Sequence, residues 1–158
     1  MRSLLSEGLP IPVLTMVLLC LTVGCVHSSA ANATPHFPFA YVQEDCGPTD
    51  GVAMEFYFTA KQGQGGKYKE PFLQIEVNKN LPTSVPLSYS VESGKWDVLA
   101  QRCFRPGSCE IASSGFLHLS KFSRGMGGSG DYELRFRDGS IEKGRFEAVW
   151  YRNYFLCG

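Results

Sequence analysis

The chain has 158 residues, of which 44% are hydrophobic and 13% aromatic, and its 15 basic residues are balanced by 15 acidic ones. This composition supplies enough apolar material for one folded domain and excludes an intrinsically disordered chain. The neutral balance, without a basic stripe, argues against a protein that binds nucleic acid.

The first residues have the features of an export signal. Arg2 provides a positive start, although Glu7 weakens it, and a mostly apolar run follows from Ile11 to Val23. A helix over that run would reach about 20 Å, which is too short for a hydrocarbon layer of about 30 Å. We therefore predict a signal peptide over residues 1–24 instead of a permanent transmembrane helix.

The residues after the apolar run are compatible with more than one way of processing the signal peptide. The segment Leu21–Cys25, "LTVGC", resembles the lipobox of bacterial lipoproteins, in which a small residue precedes a cysteine that becomes lipidated. Thr22 stands where leucine is usual. This resemblance implies a lipid anchor on Cys25 and a location at the bacterial cell envelope, on the periplasmic or outer-membrane face. The alternatives are cleavage near Ser28–Ala30, which would give a secreted extracellular protein, and a retained signal anchor.

A short tether is predicted between the anchor and the domain. Residues 26–40, "VHSSAANATPHFPFA", are small, polar and interrupted by proline, which is typical of a linker. We assign residues 25–43 to the lipid anchor and tether and residues 44–158 to a β domain.

From Gly51 onwards apolar residues recur at every second position, which is the period of a half-buried strand. In "GVAMEFYFTA", Val52, Met54, Phe56 and Phe58 share one face, while Glu55 and Thr59 lie on the other. Later segments place three further groups on common faces: Leu73, Ile75 and Val77; Leu87, Tyr89 and Val91; and Trp96, Val98 and Ala100. "GFLHLSKF", residues 115–122, is apolar on both faces and predicts a central strand or one covered on two sides.

The segment "DYELRFRDGSIEKGRFEAVW" predicts a β-hairpin over residues 131–150. Tyr132, Leu134 and Phe136 alternate with charged residues, and Asp138-Gly139 suits a two-residue turn. In the returning strand the apolar positions change from odd (Ile141) to even: Phe146, Ala148 and Trp150. We predict a β-bulge near Gly144 that restores the register, with a break of the strand at Gly144 as the alternative.

The predicted strands number seven, and clusters of glycine, proline and serine separate them. No stretch shows a helical stripe with caps. These features indicate an all-β domain, and we expect an antiparallel sandwich or small barrel of about seven strands.

Four cysteines remain once Cys20 leaves with the signal and Cys25 carries a lipid: Cys46, Cys103, Cys109 and Cys157. An even number suits an oxidising compartment. A bond from Cys46 to Cys157 would tie the ends of the domain together, and Pro106-Gly107 can turn the chain so that Cys103 meets Cys109. Of the three possible pairings we predict Cys46–Cys157 with Cys103–Cys109.

No group of residues predicts a reaction. His36 and His118 are too few for a zinc site, and no serine lies in a G-x-S-x-G elbow, so we expect no catalytic residue, metal or cofactor. His118 fits a histidine on a sheet face with a local hydrogen bond.

Two polar stretches fit a structural explanation better than a functional one. Glu44, Asp45 and Asp50 surround Cys46 and could hold Ca²⁺, but a solvated acidic turn accounts for them. "RGMGGSGD", residues 124–131, predicts a flexible loop.

A longer pattern carries a resemblance. "CGPTDG" at 46–51, a cysteine pair, "GDYELRFRDGSIEKGRFEAVW" and a terminal "CG" resemble small uncharacterised bacterial envelope lipoproteins, in which a hairpin of this kind closes a β domain. The resemblance covers residues 46–158 and implies a compartment and a fold but no activity.

We therefore expect an exported cell-envelope lipoprotein that is not an enzyme and whose β domain binds a protein or glycan partner or serves a structural role. The alternative is a secreted inhibitor or ligand-recognition module that uses the Cys103–Cys109 loop. Phe104 and Arg105 are its candidate contact residues, because a bridged loop loses little entropy on binding and exposed Phe and Arg are frequent at interfaces.

Overall fold

A computed structural model describes residues 37–47, 51–62, 70–78 and 82–151, which belong to a compact unit spanning Thr34–Gly158. Strands and turns make up these residues, and none of them is helical, which confirms the all-β prediction. In this part of the chain no helix is long and apolar enough to cross a membrane. The described residues form nine strands: β1 (Phe39–Cys46), β2 (Val52–Thr59), β3 (Phe72–Val77), β4 (Leu87–Glu92), β5 (Val98–Arg105), β6 (Ser108–Ile111), β7 (Ser114–Ser123), β8 (Gly127–Arg135) and β9 (Ile141–Trp150).

All nine strands belong to a single sheet with the order β4-β7-β8-β9-β1-β2-β3-β5-β6. Neighbours pair antiparallel except β1 and β9, which run parallel from the pair Ala40–Ala148 to the pair Val42–Trp150. The predicted antiparallel pairing is therefore confirmed for all neighbours but one.

The connection between β4 and β5 shows that this sheet is curled. The two strands lie seven spacings apart in the sheet, yet only Ser93–Asp97 joins them. A flat sheet would separate them by about 34 Å, whereas a link of that length spans at most about 21 Å. The sheet is therefore an open half-barrel, and the predicted sandwich of two packed sheets is not what forms.

The main hydrophobic core fills the concave face of the half-barrel. Phe56 and Phe58 on β2 both pack edge-to-face against Phe146 on β9, with ring centroids 5.7 and 5.3 Å apart. The other predicted inward residues that lie in this core are Met54, Leu73, Ile75, Val77, Tyr89, Val91, Val98 and Ala100. Val52 and Trp96 are exceptions: Val52 begins β2 and is 41% exposed, and Trp96 lies in the turn before β5 and is 68% exposed.

Two strands were not predicted from the sequence. β1 begins at Phe39, inside the segment assigned to the tether, and contributes Ala40 and Val42 to the core. β6 is a four-residue strand at one end of the sheet. β6 was missed because a strand of four residues gives a weak period-two signal. β1 was missed because its second half, "QEDC", is mostly polar.

The glycine-rich residues 127–131 are part of β8, so the predicted flexible loop is wrong over that range. β8 pairs there with both β7 and β9. A Cβ at Gly130 would collide with the carbonyl oxygen of His118, so the glycine allows the two backbones to approach closely.

The hairpin of β8 and β9 is confirmed, but its register differs from the prediction. Phe136 N donates to Ser140 O at 3.0 Å, so the loop has three residues, with Gly139 at φ +83°. The extra residue lies in this turn, and the pairing from Arg135–Ile141 to Gly127–Val149 has no bulge or break at Gly144. The parity change arises because Ile141 points outward and the inward position is occupied by a buried glutamate, Glu142.

β7 lies inside the sheet between β4 and β8, which agrees with the prediction of a central strand. Leu117 and Leu119 are buried on its concave face, whereas Phe116 on the convex face is 39% exposed. β7 is therefore covered on one face.

The disulfide Cys103–Cys109 is present, as predicted. These residues are directly opposite each other on β5 and β6, with Cα atoms 4.1 Å apart. Cys46 is also disulfide-bonded. Its predicted partner Cys157 lies outside the described residues, as do Cys25 and the signal segment 1–24, so these assignments remain predictions.

Candidate functional site

The β5–β6 hairpin ends in a tight, cross-linked turn, which we call the bridged tip (residues 103–109). Arg105 pairs with Ser108, and Pro106-Gly107 turns the chain between them. Gly107 has φ +73°, the left-handed conformation that a type II turn requires after proline. The disulfide lies at the base of this turn. It links the exposed Cys109 to Cys103, which is fully buried and therefore held in place by its neighbours.

Phe104 is the extra residue of a β-bulge. The register passes from Cys103–Cys109 to Arg105–Ser108, which leaves Phe104 without an opposite residue. A bulge reorients the side chains around it. The ring of Phe104 is 40% exposed, and Arg105 beside it is exposed as well. The structure thus brings both predicted contact residues to the surface of one rigid turn.

Arg102 supports the Phe104 ring from beneath. Its guanidinium carbon lies 5.1 Å from the centroid of Phe104 and 3.9 Å from that of Phe136. Contacts of this kind between a cation and an aromatic face are attractive, and more so where water is excluded. Arg102 is only 4% exposed, so the surrounding residues hold its side chain in place.

Three carboxylates hold the buried guanidinium, and we call Arg102, Glu110, Asp138 and Glu142 the Arg102 cluster. Arg102 Nη2 donates to Glu110 Oε2 at 2.7 Å and to Asp138 Oδ2 at 2.7 Å, while Nη1 lies 3.4 Å from Glu142 Oε1. The cluster connects β5 and β6 to the β8–β9 hairpin. The parity change in β9 was the one sign of this cluster in the sequence, because Glu142 occupies an inward position there.

Burial and charge act in opposite directions in this cluster. Burial lowers the pKa of Arg102, but the bonds and attraction from Glu110 and Asp138 outweigh it and leave that pKa above its ordinary value. Burial raises the pKa of Glu142, and Arg102 opposes the rise. The pKa of Asp138 is lowered, first by its bonds from Ser140 and then by Arg102.

A second polar network lies on the convex face around Glu55. Its carboxylate accepts hydrogen bonds from Gln43 Nε2 at 2.8 Å, Tyr57 OH at 2.9 Å and Gln74 Nε2 at 2.8 Å. Glu55 was predicted to lie opposite the apolar face of β2, and it does, but it is only 4% exposed. Burial raises its pKa, and the bonds from Gln43 and Tyr57 partly offset that rise. Its donors hold the carboxylate in one place.

His118 lies in a polar row on the convex face, opposite Ser88 on β4 and Asp131 on β8. His118 Nδ1 is 3.0 Å from Asp131 Oδ1, which confirms the predicted local hydrogen bond. Among the described residues no hydrogen bond joins Ser88 to His118. A serine nucleophile needs such a bond to its base. His118 and Asp131 therefore form a half-buried cross-strand pair.

The acidic residues near Cys46 have structural partners. Glu44 Oε2 accepts a hydrogen bond from Arg124 Nη2 at 2.9 Å, and Asp45 Oδ1 accepts one from the backbone N–H of Cys46 at 2.7 Å. Asp50 lies outside the described residues. Within the described ranges, no group of three or more side chains is placed to hold a metal ion.

Comparisons with models of protein families, with curated proteins and with solved structures found no match for this chain. The function is therefore inferred from the residues themselves. The bridged tip combines an exposed aromatic ring, an exposed cation and a covalent cross-link.

Proposed function

We propose that this chain is an exported protein, held at the bacterial cell envelope by a lipid on Cys25, whose β domain binds a partner and does not catalyse a reaction. The lipobox-like segment Leu21–Cys25 supports the anchor. The disulfide at the bridged tip supports an oxidising compartment, since such bonds are rare in reducing ones.

The bridged tip is the proposed binding surface, with a protein or a glycan as its partner. The observation behind this proposal is that Phe104 is 40% exposed on a cross-linked turn and rests on a buried arginine. A ring that is already fixed loses little conformational entropy when a partner covers it. The same surface would serve a secreted inhibitor, the alternative in which the signal is cleaved after Cys25.

The anchor is tested by metabolic labelling with a radioactive fatty acid in a bacterial host. The wild-type chain and Cys20→Ala should incorporate label and sediment with membranes. Cys25→Ala should lose both properties. Equal labelling of wild type and Cys25→Ala would exclude the lipid anchor.

The bridged tip is tested by site-specific photocrosslinking. A benzoylphenylalanine in place of Phe104 should give a discrete adduct with an envelope component, and Arg105→Ala in the same chain should weaken it. Phe116 is a matched control, because it is 39% exposed on a different strand. Adducts of the same mass and yield from both positions would show that the bridged tip has no specific partner.

A further inference from the structure

The bridged tip and the turn between β8 and β9 lie at the same end of the half-barrel. Arg102, which precedes the tip on β5, donates to Asp138 in that turn at 2.7 Å. The same guanidinium lies against the ring of Phe104 in the tip and against the ring of Phe136 in the turn. Arg102 therefore joins the two turns, and we call them together the tip end of the domain.

The chain enters the domain from the tip end. Phe39, the first residue of β1, pairs with Thr59 of β2. Thr59 pairs with Phe72 of β3, which pairs in turn with Cys103 at the base of the bridged tip. The start of β1 and the base of the tip thus lie in one row across the sheet. β1 runs away from this row and β5 runs through it into the tip, so the chain before β1 arrives from the side to which the tip points.

The length of chain before β1 limits how far the domain can lie from a lipid on Cys25. Phe37 packs against the main core, so the domain holds the chain as far as that residue. Only residues 26–36 separate Phe37 from Cys25, and a chain between these two residues reaches at most about 40 Å. Because this chain joins the domain on the side of the tip, an anchor on Cys25 brings the tip end nearest to the bilayer.

The side chains of the tip end suit a contact with lipid headgroups. Phe104 is 40% exposed, and Pro106-Gly107 at the apex carries no charge. Arg105 and Arg137 are exposed beside them, and within the described residues neither forms a salt bridge. At the boundary between acyl chains and headgroups an aromatic ring leaves water, and a guanidinium can bind a phosphate through two parallel hydrogen bonds.

The tip end as a whole is not cationic. The Arg102 cluster has three carboxylates and one guanidinium, which offsets the charges of Arg105 and Arg137. Lys61 after β2 and Glu70 before β3 offset each other. The contact therefore depends on the exposed ring and on individual bonds to phosphates instead of long-range attraction. A weak contact is sufficient, because a tether makes docking an intramolecular step.

We propose that the tip end docks on the bilayer that holds the lipid of Cys25. The Phe104 ring lies at the level of the headgroups, and Arg105 and Arg137 bind lipid phosphates. This inference rests on the proposed lipid anchor and gives the bridged tip a third kind of partner, besides a protein or a glycan. It also gives the domain one orientation on the membrane.

Met126 provides a matched reporter at the other end of the domain. Its carbonyl oxygen accepts a hydrogen bond from the N–H of Trp150, the last residue of β9, at 3.3 Å. The turn between β8 and β9, in contrast, precedes the first residue of that strand. Met126 is 78% exposed, so a tryptophan there needs no repacking of the core. In the proposed orientation this residue points away from the bilayer.

The test is tryptophan fluorescence of the full lipidated chain in vesicles of phosphatidylethanolamine and phosphatidylglycerol. Bromine atoms on the acyl chains next to the headgroups quench indole rings that reach them. The emission that Phe104→Trp adds to the wild type should be quenched, whereas the emission that Met126→Trp adds should not. Ser108→Trp is a second reporter, because Ser108 is exposed on the same tip and this variant keeps the Phe104 ring.

The role of the ring is tested in the chain that carries Ser108→Trp. Adding Phe104→Ser should reduce the quenching. Adding Phe116→Ser should not, since Phe116 is 39% exposed but lies on the convex face of β7. Equal quenching of the emission added at positions 104 and 126 would overturn the proposal, as would a Ser108→Trp signal that Phe104→Ser leaves unchanged.

Flotation of the same vesicles separates this proposal from the anchor on which it rests. A chain that floats with the vesicles but shows no quenching at position 104 contradicts docking alone and leaves the bridged tip to a protein or a glycan. A chain that does not float contradicts the lipid anchor, and docking with it.

Discussion

Arg102 and Glu142 meet inside the half-barrel although 40 residues separate them, with Nη1 and Oε1 3.4 Å apart. Their strands, β5 and β9, lie four spacings apart in the sheet, about 19 Å if it were flat. The contact therefore exists because the sheet curls. Phe136 covers the guanidinium at 3.9 Å, so the pair is also shielded from water.

Replacing Arg102 by methionine should lower the free energy of unfolding by about 3–5 kcal/mol, because it leaves buried Glu142 without its counter-charge. Urea unfolding at neutral pH measures the loss. Arg135→Met is the matched control, since Arg135 forms an exposed pair with Glu133 and should cost about 0.5 kcal/mol or less. The difference between Arg102→Met and wild type should shrink on acidification, when Glu142 is protonated. A loss as small as that of the control would show that the cluster does not stabilise the fold.

Glu55 should make stability fall with rising pH. Burial raises its pKa above 4.5, although Gln43 and Tyr57 oppose the rise. A carboxyl with a raised folded pKa stabilises the fold most below the unfolded pKa, and this contribution disappears as pH rises through the folded pKa. The wild type should therefore lose stability relative to Glu55→Gln as pH increases from about 4, measured by urea unfolding at successive pH values.

Tyr57→Phe provides the control for that experiment. It removes a hydrogen bond that lowers the pKa of Glu55, so the loss of stability should move to higher pH. If the free energy of unfolding of the wild type instead increased relative to that of Glu55→Gln as pH rises, the bonds to the carboxylate would outweigh its burial.

The disulfide at the bridged tip should contribute about 2–3 kcal/mol to stability, the amount the chain-entropy model gives for so short a loop. The double variant Cys103→Ala with Cys109→Ala should lose that amount in chemical unfolding. With benzoylphenylalanine at position 104, the double variant should also lose most of the photocrosslinking yield, because the turn is no longer held closed. Full crosslinking by the double variant would show that the bridge does not organise the contact surface.

Gly130→Ala should destabilise the domain by about 1–3 kcal/mol, because its Cβ would collide with the His118 carbonyl and force β7 and β8 apart. Thermal unfolding followed by circular dichroism detects this. Gly139→Asn is the comparison, since a Cβ there meets nothing within 4 Å and asparagine tolerates its positive φ. Equal stability of the two variants would show that close approach at Gly130 is not required.

The β8–β9 hairpin shows where interpretation of the sequence succeeded and failed. The alternation of Tyr132, Leu134 and Phe136 correctly predicted a strand, and Asp138-Gly139 correctly located the turn. The predicted turn of two residues was one residue too short. That residue shifts the whole returning strand, because side chains alternate between faces.

The sequence by itself determined the all-β class, the inward faces of most predicted strands and the Cys103–Cys109 bridge, because alternation and a Pro-Gly turn act between residues close in the chain. Only the tertiary structure decided the curl of the sheet and the burial of Arg102, Glu142 and Glu55. A period of two shows which residues share a face, but whether that face is covered depends on strands far away in the chain. For that reason a buried glutamate and an exposed one look alike in the sequence.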